Sequence, residues 1–273
     1  MRRKRIVANW KMNGSLAANS ALLGELLPQL ALLEGVDLAV CPPFPYLAQV
    51  AALLEGSAVA PGAQNLSVSA KGAFTGEVSG GMLRELGCRY VLVGHSERRT
   101  LYGECDETVA EKFATALAAG LVPILCVGET LEQRLQDKTE WVVSAQLQAV
   151  LRRSGIQGLC AGLIAYEPVW AIGTGKTAIP EQAQSVHRFI RDSLARHDPA
   201  LAAITAILYG GSVKADNAAA LFAQPDIDGG LIGAASLDPE AFLAICQAAA
   251  HQDHSAYGTR VPGAQTTTKR GNP

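Results

Sequence analysis

Apolar residues along this chain gather in short unbroken runs rather than in strict alternation. The runs are Ile6–Trp10, Leu38–Cys41, Val59–Gly62, Tyr90–Gly94, Val122–Val127, Leu163–Tyr166, Ile204–Tyr209 and Ile227–Ile232. Continuous runs of this kind are expected of strands covered on both faces, as in a parallel sheet. Between them the apolar spacing becomes helical. Val109, Phe113 and Leu117 stand four residues apart, as do Val186, Ile190 and Leu194, so each helix turns one stripe toward a core. Helix starts are marked too: Asp238-Pro239-Glu240 sets a capping carboxylate before a first-turn proline, and Pro180-Glu181 opens another helix in a similar way.

Eight alternations of strand and helix within 273 residues fit a closed (β/α)8 barrel, which typically takes about 250 residues. An open doubly wound sheet shows much the same alternation. No GxGxxG follows the first run and no Pro/Gly/Ser-rich linker divides the chain, which weakens the dinucleotide-binding and two-domain readings. The expected architecture is an α/β single-domain barrel over residues 1–250. The segment His251–Pro273 is polar and without periodicity, and is expected to form a disordered tail.

Hydrophobic residues make up 49% of the chain and charged residues 18%, enough to bury a sizeable core. Lys and Arg number 23 against 25 Asp and Glu, for a net charge of −2. That balance speaks against a nucleic-acid or polybasic membrane partner. The six cysteines, Cys41, Cys88, Cys105, Cys126, Cys160 and Cys246, show no CxxC or Cys/His clustering, so neither a zinc site nor a disulfide scaffold is expected. With no apolar run long enough to span a bilayer and a start that passes from basic residues straight into a strand, the expected location is the cytoplasm, with reduced thiols.

In a barrel the reactive groups sit where strands end, so polar residues directly after apolar runs are the candidates. Ala8-Asn9-Trp10-Lys11 ends the first run with a lysine suited to anchoring a phosphate; the plainer reading is a strand-end lysine with a snorkelling stem. His95 follows the fourth run and precedes a helix-compatible segment whose N-terminus would favour a neutral, hydrogen-bonding imidazole, although a structural histidine satisfied by backbone fits that stretch equally well. Glu167 ends the sixth run beside Pro168, Trp170 and Ile172, an apolar setting that strengthens a carboxylate as a base. Gly173, Thr174 and Gly175 would let this loop act as a lid. The alternative is a surface loop with a salt-bridged glutamate. Tyr209-Gly210-Gly211-Ser212 and Gly230-Leu231-Ile232-Gly233-Ala234-Ala235-Ser236 are small-residue loops after the last two runs. They are ordinary turns taken singly, but together they offer backbone N–H groups to an anion.

These segments together resemble the triosephosphate isomerases over about residues 5 to 250. The resemblance rests on Asn9-Trp10-Lys11-Met12-Asn13-Gly14, Gly62-Ala63-Gln64-Asn65, Gly72-Ala73-Phe74-Thr75-Gly76-Glu77, Gly94-His95-Ser96-Glu97-Arg98-Arg99, the run Ala165 to Lys176, and Tyr209-Gly210-Gly211-Ser212. It implies interconversion of dihydroxyacetone phosphate and glyceraldehyde 3-phosphate, a step of glycolysis and gluconeogenesis, without cofactor or metal. It assigns Glu167 as the base, His95 as the neutral imidazole that shuttles a proton between the oxygens, and Lys11 with Asn9 as stabilisers of the enediolate and phosphate. Glu97 would orient Lys11. Gly173, Ser212, Leu231, Gly233 and Ala234 would donate to the phosphate. The stretch Gln64–Glu77, too long for a plain connection, resembles the family's dimer loop. The partner implied is then a second copy, with Thr75 and Met12 at the contact.

In two places the chain departs from the family. Gly233 is followed by Ala234 where the family usually has Gly-Gly. A negative φ is expected there, since a strained alanine would cost both stability and affinity. The other departure is the tail. Two other functions compete with the isomerase: an aldolase forming a Schiff base through Lys11, and a non-catalytic phosphosugar-binding barrel, against which the presence of Lys11, His95 and Glu167 together argues.

Overall fold

The computed structural model describes residues 2–172 and 177–250. Eight strands run parallel: β1 (Lys4–Asn9), β2 (Val36–Cys41), β3 (Val59–Ala63), β4 (Tyr90–Val93), β5 (Val122–Val127), β6 (Leu163–Tyr166), β7 (Ile207–Tyr209) and β8 (Gly229–Ile232). Each pairs with the next, and β8 returns to β1 through Arg5↔Gly229 to Ala8↔Ile232, closing the barrel. Successive side chains on a strand point to opposite sides, and here the two sides build two cores. Val7, Ala39, Leu92, Ile124, Ala165 and Leu208 fill the interior. Ile6, Ala8, Val40 and Val91 face outward onto the helices. Asn9 shares the inward phase of Val7, one layer nearer the C-terminal mouth.

Eleven helices are present among the described residues: α1 (Leu16–Leu30), α2 (Leu47–Leu53), α3 (Gly80–Glu85), α4 (Ser96–Tyr102), α5 (Asp106–Ala118), α6 (Leu131–Leu135), α7 (Thr139–Ala161), α8 (Pro180–Ala195), α9 (Pro199–Ile204), α10 (Ala218–Phe222) and α11 (Pro239–Ala250). Their stripes follow the sequence pattern. Val109 and Phe113 of α5 and Val186, Ile190 and Leu194 of α8 are buried, with Leu117 half-buried. Asp238 caps α11 by accepting from the Ala241 N–H at 2.9 Å, and Pro180 occupies the first turn of α8.

Several strand bounds shift, β2 for instance beginning at Val36, and three of the shifts have a visible cause. The first strand begins at Lys4 rather than Ile6, because Lys4 extends its stem and donates from Nζ to the carbonyls of Phe222 and Ile227 at 2.7 and 2.6 Å. The run Ile204–Tyr209 yields a strand only from Ile207. Asp198 caps α9 through the N–H groups of Ala200 and Leu201, and Ile204 closes that helix, 68% exposed. The eighth strand starts at Gly229, since Asp228 is drawn into a charge cluster at the floor. The expected tail, 251–273, and the lid residues Gly173, Thr174 and Gly175 lie outside the described residues.

At the floor, buried Asp228 accepts from Arg2 Nε and Arg191 Nη2, both at 2.7 Å, and from the Ile207 N–H at 2.9 Å. Arg191 also bonds Asp226 Oδ1 at 2.6 Å and the carbonyls of Ala202 and Thr205. Burial pushes the neighbouring His187 down to about 3, so it stays neutral beside these cations. Removing one member of such a cluster strands the others without their partner. Asp228→Ala is therefore expected to lower the unfolding free energy by about 3–5 kcal/mol, to be measured by urea denaturation; a loss within error of zero would show that Asp228 does not hold the floor.

Candidate active site

A cavity of about 330 Å³ opens at the C-terminal ends of the strands. Asn9, Lys11, His95, Glu167, Ser212, Leu231, Gly233 and Ala234, all singled out from the sequence, share its wall. Glu97 stands behind Lys11. Thr75 and Met12 lie elsewhere, on exposed surface. Gly173 falls outside the described residues.

Lys11 adopts φ of +50°, a left-handed conformation that costs a non-glycine residue about 1–3 kcal/mol. Two side chains hold it there. Asn9 Oδ1 accepts the Lys11 N–H at 3.0 Å, while Gln64 Nε2 donates to the carbonyls of Lys11 and Cys41 at 2.9 and 2.8 Å. The Lys11 ammonium reaches Glu97 Oε1 at 2.5 Å, which aims the charge along the cavity wall.

His95 caps α4, its Nδ1 accepting the Glu97 N–H at 3.2 Å. A neutral ring so held carries its proton on Nε2, the nitrogen turned to the cavity. There Nε2 meets Glu167 Oε1 at 3.1 Å. The other carboxylate oxygen, Oε2, accepts the Ser96 N–H at 2.8 Å. Glu167 is 2% exposed, and its charge is answered by the first turn of α4 and by the imidazole. Beneath it burial pushes the Cys126 thiol well up, with the Glu167 carboxylate adding to the rise, so Cys126 stays a thiol.

Several supports escaped the sequence reading. A Cβ on Gly128 would stand 1.7 Å from the Glu167 carbonyl oxygen, and one on Gly210 would stand 2.8 Å from Glu167 Cγ. Glu129, fully buried, accepts from Tyr166 Oη at 3.1 Å, Trp170 Nε1 at 2.9 Å and Arg134 Nη1 at 3.3 Å. It thereby ties the loop after β6 to the end of β5. The signal was present, since Glu129 stands one residue beyond the apolar run Val122–Val127, as His95 and Glu167 stand directly after theirs.

At the opposite wall, Ser236 returns both its N–H and its hydroxyl to the Gly233 carbonyl at 2.8 and 2.7 Å. This closes a single turn, Ala234–Leu237, over the cavity. Ala234 is not among the described non-glycine residues with positive φ, which are Lys11 and Asp137. The alanine is unstrained, as expected. No group of three or more His, Cys, Asp or Glu side chains suited to a metal occurs among the described residues.

Gly128→Ala pushes directly on the Glu167 backbone. A misplacement of about 1 Å at a reacting group can cost roughly 100-fold, so this variant is expected to lose turnover on that scale while keeping its near-UV circular dichroism. Full activity would show that the close approach is dispensable.

The family model described as triosephosphate isomerase matches residues 4–249. A triosephosphate isomerase of Thiobacillus denitrificans is 63% identical over 250 residues, covering 92% of this chain and 100% of the relative. Those of Nitrosococcus oceani and Cupriavidus taiwanensis are 57% and 61% identical, over 91% and 90% of this chain and 100% and 99% of their own lengths. Together with the closed barrel, these matches show that the chain belongs to the triosephosphate isomerase family.

Proposed function

We propose that the chain interconverts dihydroxyacetone phosphate and D-glyceraldehyde 3-phosphate, with Glu167, His95 and Lys11 as its catalytic residues. The observation that carries this reading is the 3.1 Å approach of Glu167 Oε1 to His95 Nε2 in a cavity that Lys11 also enters. Glu167 takes the proton from the carbon next to the carbonyl, and the electron pair moves onto the carbonyl oxygen to give an enediolate. His95 Nε2–H donates to that oxygen and carries a proton between the two oxygens, and Glu167 returns its proton to the neighbouring carbon. The His95 donor that Glu167 now holds is thus the one the substrate takes over. Lys11, steadied by Glu97, and Asn9 stabilise the developing negative charge, which matters most in a site closed to water.

The phosphate is assigned to the far wall, with donors from Ser212, Leu231, Gly233 and Ala234, and from Gly173. Supporting this are the short turn after β8 and the absence of strain at Ala234. The Lys11 ammonium is engaged by Glu97, an ion-pair role that does not favour a Schiff base. Glu167→Gln keeps the shape but cannot accept the proton. It is expected to fold normally and lose roughly 10²–10⁴-fold in kcat, read in a coupled assay with glyceraldehyde 3-phosphate; near-normal turnover in the folded variant would refute the base.

The working form is proposed to be a homodimer. Within the stretch from Gln64 to Glu77, residues 70–77 are exposed, and at its base the Ser67 N–H donates to the Val78 carbonyl at 2.8 Å. Phe74 is 50% exposed and Met12 is 94% exposed, apolar surface that a second copy would cover. Thr75 at the loop tip reaches the partner near its Asn9 and Lys11. Free cysteines throughout accord with a reducing compartment, and the cytoplasm is the proposed location. Among the described residues no helix is long and apolar enough to cross a membrane. Thr75→Arg is expected to shift sedimentation from dimer toward monomer with lower activity. An intact, fully active dimer would argue against this contact.

A further inference from the structure

The floor of the barrel holds a second cavity, of about 190 Å³, lined among others by Arg5, Arg89, Tyr90, Cys160, Gly162 and Thr205. Tyr90 belongs to the interior core, where it sits among the lowest residues of the barrel at the entry to β4. The Arg89 guanidinium lies 5.3 Å from the Tyr90 ring centroid. Burial pushes the Tyr90 phenol up, with Arg89 and then Arg5 pulling it down, so both cations act on the same spot from two different strands. Among the described residues the Arg89 guanidinium has no hydrogen-bond acceptor, and Arg5 is engaged only through Nε, with Asp37 at 3.3 Å. Its two terminal nitrogens are left to donate.

The side chains lining the recess include two arginines and no carboxylate. Arg3 and Arg5 share the single carboxylate of Asp37, at 2.9 and 3.3 Å, leaving one net positive charge, and Arg89 brings a second. Asp198 also bears on this face: its carboxylate, after burial, helps push the Cys160 thiol up, and its Oδ1 accepts from the N–H groups of Ala200 and Leu201. Glu55 and Glu85 line a shallower groove on the other side of Arg89. Two guanidinium groups with free N–H donors lining one small recess suit a tetrahedral dianion in charge.

We propose that the barrel floor binds a phosphate dianion, free or at the end of a small monoester, between Arg5 and Arg89. The site is separate from the cavity at the mouth and does not depend on the assignments made there. Its residues enter β1, β4, β6 and β7, so a bound anion would tie in β4 and β6, which the Asp228 cluster at the entries of β1, β7 and β8 does not reach. Anion binding to the folded form alone would also raise its stability.

Titration of isotope-labelled full-length protein with inorganic phosphate, at ionic strength held constant with potassium chloride, tests this through amide chemical shifts. The amides of Arg89, Tyr90, Gly162 and Thr205 should shift together along one saturating curve, distinct from that of Gly233 and Ala234. Arg89→Leu should weaken the floor curve at least about ten-fold while leaving the mouth curve, kcat and KM unchanged, and Arg5→Gln should weaken it independently. Glycerol 3-phosphate binding more tightly than inorganic phosphate identifies a monoester as the occupant, and equal binding identifies free phosphate. Absence of floor shifts, equal shifts in chloride alone, or an unchanged curve in both variants would overturn the proposal.

Discussion

The mouth of this barrel depends on how closely the ends of β5 and β6 approach. Glu167 N–H donates to the Val127 carbonyl at 2.7 Å, and Gly128 lies so near the Glu167 backbone that no side chain fits between them. The next strand joins the same stack, with Gly210 N–H donating to the Tyr166 carbonyl at 2.7 Å. The position of the Glu167 main chain is therefore set by the sheet itself rather than by the loop that follows. The side chain inherits that precision, and from there its two oxygens have only short reaches, to Ser96 and to His95.

Among the described residues three carboxylates are at most 2% exposed: Glu167, Glu129 and Asp228. An ionised group in that position is tolerated only with donors on its oxygens, and each is satisfied differently. Glu129 is held by a phenol, an indole and a guanidinium, and Asp228 by two guanidiniums and a backbone N–H. Glu167 has one backbone N–H and one imidazole. It is the most sparsely bonded of the three, and the imidazole is a donor that another oxygen can replace. The fold thus fixes two of its buried acids and leaves the third able to exchange partners.

Much of this was legible in the sequence. All eight strands follow from apolar runs, because strands buried on both faces leave no polar gaps, and Asn9, His95 and Glu167 stand out as the polar residues where such runs stop. What failed has a common cause. Ile204 is apolar yet ends a helix, since the cap that decides the matter is Asp198, six residues earlier. Gln64 and Gly128 act on backbone atoms of residues far away in sequence, and nothing in their neighbours' identity reports that. The unstrained φ of Ala234, by contrast, came out as expected, and Ser236 bonding back to Gly233 accompanies it.

The packed interior has one more consequence. Val7, Ala39, Leu92, Ile124, Ala165 and Leu208 are at most 2% exposed, and Tyr90 with the Arg5–Asp37 pair lies beneath them, so the barrel is a solid rod and not a conduit. Water, protons and ions cannot diffuse along its axis between the two ends. Any message between floor and mouth has to be mechanical, carried by the displacement of a strand. The shortest such lever is β1, where Arg5 and Asn9 are four residues apart, or roughly 13 Å of extended chain.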